Sequence, residues 1–142
     1  MDSSLHWKAS VNIKIPFHDV DAAEIVWHGH YVKYCEIARC KLLDTFNYNY
    51  PEMKRSGYFW PIIDIRLRFA RAVVFEQNIR VEASLAEWEN RLKINYAVFD
   101  STSGKRLTKG YSVQVAVDIA TGEMLFESPL ILYQKLGVEA CT

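Results

Sequence analysis

The fold is read from residues 17–39, Phe17-His-Asp19-Val-Asp21-Ala-Ala-Glu24-Ile-Val-Trp27-His28-Gly29-His30-Tyr31-Val-Lys-Tyr34-Cys-Glu36-Ile-Ala-Arg39. Its first half, Phe17 to His30, holds two aspartates, three histidines and a glycine. It keeps neither the period of a strand nor that of a helix, so it reads as a loop. From Tyr31 the apolar residues Tyr31, Tyr34, Cys35, Ala38, Leu42 and Phe46 recur at spacings of three and four, with Val32, Ile37 and Leu43 adding apolar flanks. That spacing predicts a helix over 31–46 that is buried on more than one side.

Outward from this loop and helix, the chain speaks in strands. Val11, Ile13, Ile15 and Phe17 alternate with Asn12, Lys14 and Pro16, which predicts a half-buried strand over 9–17, with Pro16 at an exposed end or edge. After the helix, Pro51 and Gly57 frame a short helical turn. Alternation then returns in four runs, Ile63–Phe69, Ile79–Leu85, Leu92–Val98 and Tyr111–Val117. Separators at 87–90, 100–104 and 118–123 are short and rich in turn residues, so antiparallel pairing is expected. Leu130–Tyr133 after Pro129 is too short an apolar run to assign on its own, although a terminal helix is one reading. One loop, one long apolar helix and five strands imply an α+β fold in which an antiparallel sheet wraps a central helix, and one domain over 1–142.

Composition narrows the function. Half of the 142 residues are hydrophobic and 13% aromatic, enough for a substantial core without disulfides or a structural metal. Seventeen basic residues balance seventeen acidic ones, which gives no field toward nucleic acid or an anionic membrane. Arg66, Arg68 and Arg71 do cluster locally; either they meet a coenzyme's phosphates or a carrier protein's acidic face, or they form a solvated strand face. Cys35, Cys40 and Cys141 are odd in number and include no C-x-x-C pair, which fits a reducing compartment. The start MDSSLHWK lacks the apolar stretch of a signal peptide, and no run is long enough to cross a bilayer. A cytoplasmic protein acting on a small molecule, or working with a protein partner, is expected.

The stretch quoted above resembles the 4-hydroxybenzoyl-CoA thioesterase family of hot-dog proteins: an aromatic strand end, D-x-D, a small-residue turn, V-aromatic-H, then Y-x-x-Y-x-E-x-A-R on a helix. The resemblance implies hydrolysis of an acyl thioester, carried by coenzyme A or an acyl carrier protein, with no cofactor and no metal. It implies that Asp21, the second aspartate of D-x-D, is the catalytic carboxylate, acting as nucleophile or as general base toward water. It also implies that backbone N–H at or near His28 polarises the thioester carbonyl, a role suited to a helix start, where N–H donors are unpaired and the dipole is positive. Trp27, Gly29 and Tyr31 are then substrate-binding candidates, as are Phe59 and Trp60 reaching from a neighbouring subunit. A homodimer or homotetramer is expected.

Each residue also has a plainer reading. Asp19 and Asp21 suit turn-capping, the role favoured here for Asp19; His28 suits helix-capping; and Tyr31, Tyr34 and Trp27 suit the core. Glu36 and Arg39, at i and i+3, read as a structural pair. Two other functions share the fold: a 3-hydroxyacyl-thioester dehydratase using His28 and Glu36, and a non-catalytic acyl-thioester binder. The chain also departs from the family pattern twice, with Glu24 at the usual glycine of the turn and Glu76-Gln77 before the next strand. A left-handed backbone at Glu24 would be strained, so either the loop takes another path there or Glu24 turns toward the site.

Overall fold

A computed structural model describes residues 7–139. Cys141 and residues 1–6, which open the segment read above as lacking an apolar leader, lie outside the described residues. The elements run β1 (Lys8–Lys14), a 3₁₀ turn (Phe17–Asp19), α1 (His30–Thr45), α2 (Tyr50–Arg55), β2 (Tyr58–Phe59), β3 (Ile62–Phe69), β4 (Asn78–Glu87), β5 (Leu92–Asp100), β6 (Arg106–Gln114), β7 (Val117–Asp118) and α3 (Leu130–Leu136). Five strands form one antiparallel sheet in the order β1-β4-β5-β6-β3, and β2 pairs with β7 in a two-stranded ribbon.

The register explains the core. Val11 opposes Val81, Val81 opposes Val98 and Val98 opposes Thr108, so one pleat row crosses four strands on the face turned to α1. Ile79, Val81, Ala83 and Leu85 on β4 bury that face, as do Leu92, Ile94, Tyr96 and Val98 on β5. Helix α1 meets them with Tyr34, Ala38 and Leu42, all essentially inaccessible. This is the hot-dog arrangement, and it bears out the expected α+β fold. No described helix is long and apolar enough to cross a membrane.

Four expectations need correction or completion. Phe17 does not end a strand: β1 stops at Lys14, and Phe17 opens the 3₁₀ turn with its ring 72% exposed against Phe75. The run placed at 111–117 is the end of β6, which begins at Arg106; Val115 and Ala116 then leave the ladder before β7. Leu130–Leu136 is a helix, closed by Gly137 in the left-handed conformation. The fourth concerns β3, whose alternation is real but whose burial is not: Ile63, Ile65 and Phe69 are exposed, because β3 is an edge strand and α1 packs on β1 and β4 at the other end of the sheet.

Candidate active site

The loop between β1 and α1 is held by its own backbone. The Glu24 N–H donates to the Asp21 carbonyl at 2.9 Å, and the Asp21 N–H to the Ile25 carbonyl at 2.9 Å, closing a tight turn over Asp21–Glu24. Asp21 Oδ1 accepts the Ala23 N–H at 2.8 Å, so the carboxylate both braces the turn and stays exposed. Glu24 has φ 65°, so the loop keeps the left-handed step with a glutamate in it; its side chain is exposed and enters no ion pair among the described residues. Glu76 has φ 67°. Both departures from the family pattern thus sit where glycine would relieve strain.

Asp19 has a different job. Its carboxylate is 1% exposed and accepts Lys33 Nζ at 2.7 and 2.9 Å and the Tyr34 hydroxyl at 2.5 Å, tying the loop to the second turn of α1. Burial pushes its proton affinity up, but the hydrogen bonds from Lys33 and Tyr34, with the Lys33 and His30 charges, outweigh burial and hold it below the usual aspartate range. Burial, then Asp19 itself, pushes the Tyr34 hydroxyl far up, so it remains a donor. Asp19 is therefore a buried tether rather than an exposed turn cap, and sequence reasoning missed Lys33 as its partner.

At the helix entry, the His30 N–H donates to Trp27 O at 2.9 Å and the Tyr31 N–H to His28 O at 3.2 Å. The N–H groups of His28 and Gly29 donate to no described residue, so the expected free donors are these two. The helix takes Gly29 as its N-cap with no side-chain cap, and His28 therefore does not cap it. The Trp27 ring, 50% exposed, packs 5.2 Å from the His28 ring and edge-on to His30 at 5.5 Å. A Cβ on Gly29 would come within 2.3 Å of that ring, which explains the glycine. His28 and His30 both pack on Trp27, but His30 also lies 3.8 Å from Asp19, while His28 lines the cleft described next.

Asp21, Trp27, His28 and Tyr31 all line one cleft of about 310 Å³, whose far wall is Phe69-Ala-Arg-Ala72 at the end of β3. Sequence reasoning missed that wall as such; its only signal was the break in alternation at Ala70, where Ala70 and Arg71 both donate to Leu107 O. Tyr31 is buried and edge-on to Phe69 at 4.8 Å, serving as core and cleft floor together. Phe59 and Trp60 lie elsewhere, around a separate apolar cavity of about 460 Å³ with Tyr50, Met53, Tyr58 and Ile119. Phe59 is exposed there, whereas Trp60 is 4% exposed and its indole donates to the Tyr48 hydroxyl at 3.1 Å. Glu36 is engaged by buried Arg39 at 3.0 Å and does not line the cleft that holds Asp21 and His28. An exposed carboxylate sharing a cleft with a helix start can attack a carbonyl, or deprotonate a water that does, while unused N–H donors there stabilise the resulting oxyanion.

Comparison with known proteins identifies the family and the fold. The family model described as Thioesterase-like superfamily matches residues 15–135. A Synechocystis sp. protein with the provisional name of an esterase, sll0410, is 24% identical over 127 residues, covering 89% of this chain and 76% of its own. A Bacillus subtilis protein provisionally named as the acyl-CoA thioesterase YneP is 21% identical over 107 residues, covering 75% and 77%. Among solved structures, an Asp-to-Asn mutant of 4-hydroxybenzoyl-CoA thioesterase complexed with 4-hydroxybenzoyl-CoA superposes with a TM-score of 0.78 at 16% identity, covering 92% of this chain and 99% of that one.

Proposed function

The chain belongs to the thioesterase-like superfamily, and within it we propose that it hydrolyses acyl-CoA thioesters in the cytoplasm, with Asp21 as the catalytic carboxylate and no cofactor. The observation that carries this reading is the shared cleft: the exposed Asp21 and His28 line one space, and the N–H groups of His28 and its neighbour Gly29 donate to no described residue. A thioester carbonyl set there would meet the carboxylate, or a water it deprotonates, at carbon and the N–H groups at oxygen; the thiolate then leaves and is protonated by solvent, and where Asp21 itself attacks, a water then cleaves the resulting anhydride to the free acid and the Asp21 carboxylate. Direct attack by Asp21 and deprotonation of water differ in one readout. Single-turnover hydrolysis in ¹⁸O-water carries label into Asp21 only if the carboxylate attacks.

The working form is a homodimer in this reading. The β3 edge is unpaired on one side and bears Ile63, Ile65 and Phe69 exposed, a combination that a second copy would cover. Two β3 edges related by a twofold axis pair antiparallel, so the start of one strand lies beside the end of the other. The apolar cavity at the start of β3, lined by Phe59 and Trp60, would then adjoin the Asp21 cleft at the end of the partner's β3 and receive the acyl group. Phe59 and Trp60 of one subunit thus join Trp27, Gly29 and Tyr31 of the other around the substrate. Free Cys35 and Cys40 fit a reducing compartment. The test is thiol release from aryl-, short-, long-chain and polyunsaturated acyl-CoAs. Turnover of one class names the acyl group; no release from any would overturn the proposal.

A further inference from the structure

Arg66, Arg68 and Arg71 stand together in the sequence, and the fold parts them. Arg66 and Arg68 lie within the β3 ladder, opposite Tyr111 and Lys109 of β6. The last pair of that ladder is Phe69 with Thr108. Beyond it the N–H groups of Ala70 and Arg71 both donate to Leu107 O, at 2.9 and 3.1 Å. Two successive donors on one carbonyl are the hydrogen-bond pattern of a β-bulge, which breaks the alternation of faces and re-aims the side chains beside it. Arg71 accordingly lines the Asp21 cleft, which Arg66 and Arg68 do not.

Among the described residues lining that cleft, Asp21 is the one carboxylate and Arg71 the one guanidinium or ammonium group. The rest of the far wall, Phe69, Ala70 and Ala72, is apolar. Arg71 enters no ion pair among the described residues, with Asp21 or with any other carboxylate. A space of about 310 Å³ thus holds one negative and one positive group that do not neutralise each other by contact. Thioester hydrolysis develops negative charge at two atoms in turn. The carbonyl oxygen takes it first, as the tetrahedral adduct forms, and the donors at the start of α1 answer that charge. Sulfur takes it second, when the C–S bond breaks and its electron pair stays on the thiolate. With the attacking oxygen at Asp21 and the oxyanion at the helix start, the far wall is the side left for sulfur, and Arg71 carries its one polar side chain.

We infer that Arg71 is a catalytic residue on the leaving-group side: its guanidinium meets the departing sulfur and stabilises the thiolate as the C–S bond breaks. A guanidinium keeps its proton at any working pH, so Arg71 acts by charge alone and the thiolate takes its proton from solvent. The inference rests on the reading of Asp21 as the catalytic carboxylate and adds the group that acts opposite it.

The experiment measures kcat/KM for one acyl group carried on three thiols. These are coenzyme A; N-acetylcysteamine, an alkyl thiol like that of the coenzyme but without phosphates; and 4-nitrothiophenol, a thiol acidic enough to leave without help. Wild type is compared with Arg71→Gln, Arg71→Lys and Asp21→Asn, with equal melting temperatures verified first. The hydrogen bond that holds position 71 is made by its backbone, so the exposed side chain can change without it. We expect Arg71→Gln to lower kcat/KM at least roughly tenfold on both alkyl thioesters and by less than about threefold on the nitrothiophenyl one, and Arg71→Lys to restore most of the loss. Equal loss on all three thiols, or loss on none, would overturn the inference. Loss on the coenzyme A thioester alone would overturn it as well and make Arg71 a phosphate contact. A wild type that hydrolyses none of the three would sink the proposed function and this inference with it. An inactive Asp21→Asn beside a fully active Arg71→Gln would sink this inference alone.

Discussion

Two aspartates two residues apart divide the work of the loop. Asp21 is exposed, with Oδ1 on the Ala23 N–H; Asp19 is buried and fully engaged by Lys33 and Tyr34. Because the folded protein depresses the proton affinity of Asp19 below its ordinary value of 3.8, the stabilisation is present above that value and is lost as pH falls through the lower folded one. Asp19→Asn should therefore cost about 1–3 kcal/mol at neutral pH, the range for breaking a buried charged hydrogen bond. Urea titrations of both proteins should show that gap closing below about pH 4. A gap that persists unchanged into strong acid would mean the carboxylate charge is not what ties the loop down. From sequence, the D-x-D pair was legible as one turn cap, Asp19, and one candidate working carboxylate, Asp21, because the resemblance singled out the second. The identity of the tether was not, since Lys33 lies fourteen residues on and only the helix turn brings it back.

Among the elements, α1 was the most legible, because a helix buried on several sides repeats its apolar residues over four turns, and the observed bounds differ from the expected ones by one residue at each end. The start of β6 was not, since Arg106, Lys109 and Gly110 carry no alternating apolar signal; the pairing with β3 and β5 imposes the strand. The ribbon of β2 with β7 was illegible for a similar reason, two residues a side being too few for any period. The entry to α1 is where element and chemistry meet. The Trp27 ring lies flush against Gly29, so Gly29→Ala should displace an exposed ring rather than break the core. We expect a melting temperature within a few degrees of wild type, a loss of about 1 kcal/mol or less, and a clear rise in KM. Unfolding of Gly29→Ala would instead place Trp27 in the structural core.

At the scale of the molecule, β3 is the unfinished part. Its pattern reads as half-buried and its flank is bare, a contradiction that a second subunit would resolve. Ile65→Lys, a charge on that edge, should shift a sedimenting dimer toward monomer and lower activity with it, since Phe59 and Trp60 would lose the partner's cleft. A wild type that sediments as a monomer at micromolar concentration would contradict this assembly. The fold as a whole could be read early because its loop, helix and strand runs all agree on one arrangement; the wall of the Asp21 cleft at 69–72 could not, because the pairing of β3 with β6 places it there. The central claim remains that Asp21 does the chemistry, and the most direct test is kcat/KM for the best acyl-CoA substrate in wild type and Asp21→Asn, with equal melting temperatures verified first. A fall of about 10²- to 10⁴-fold is the expected result; activity retained within about tenfold would contradict it and remove Asp21 from the reaction.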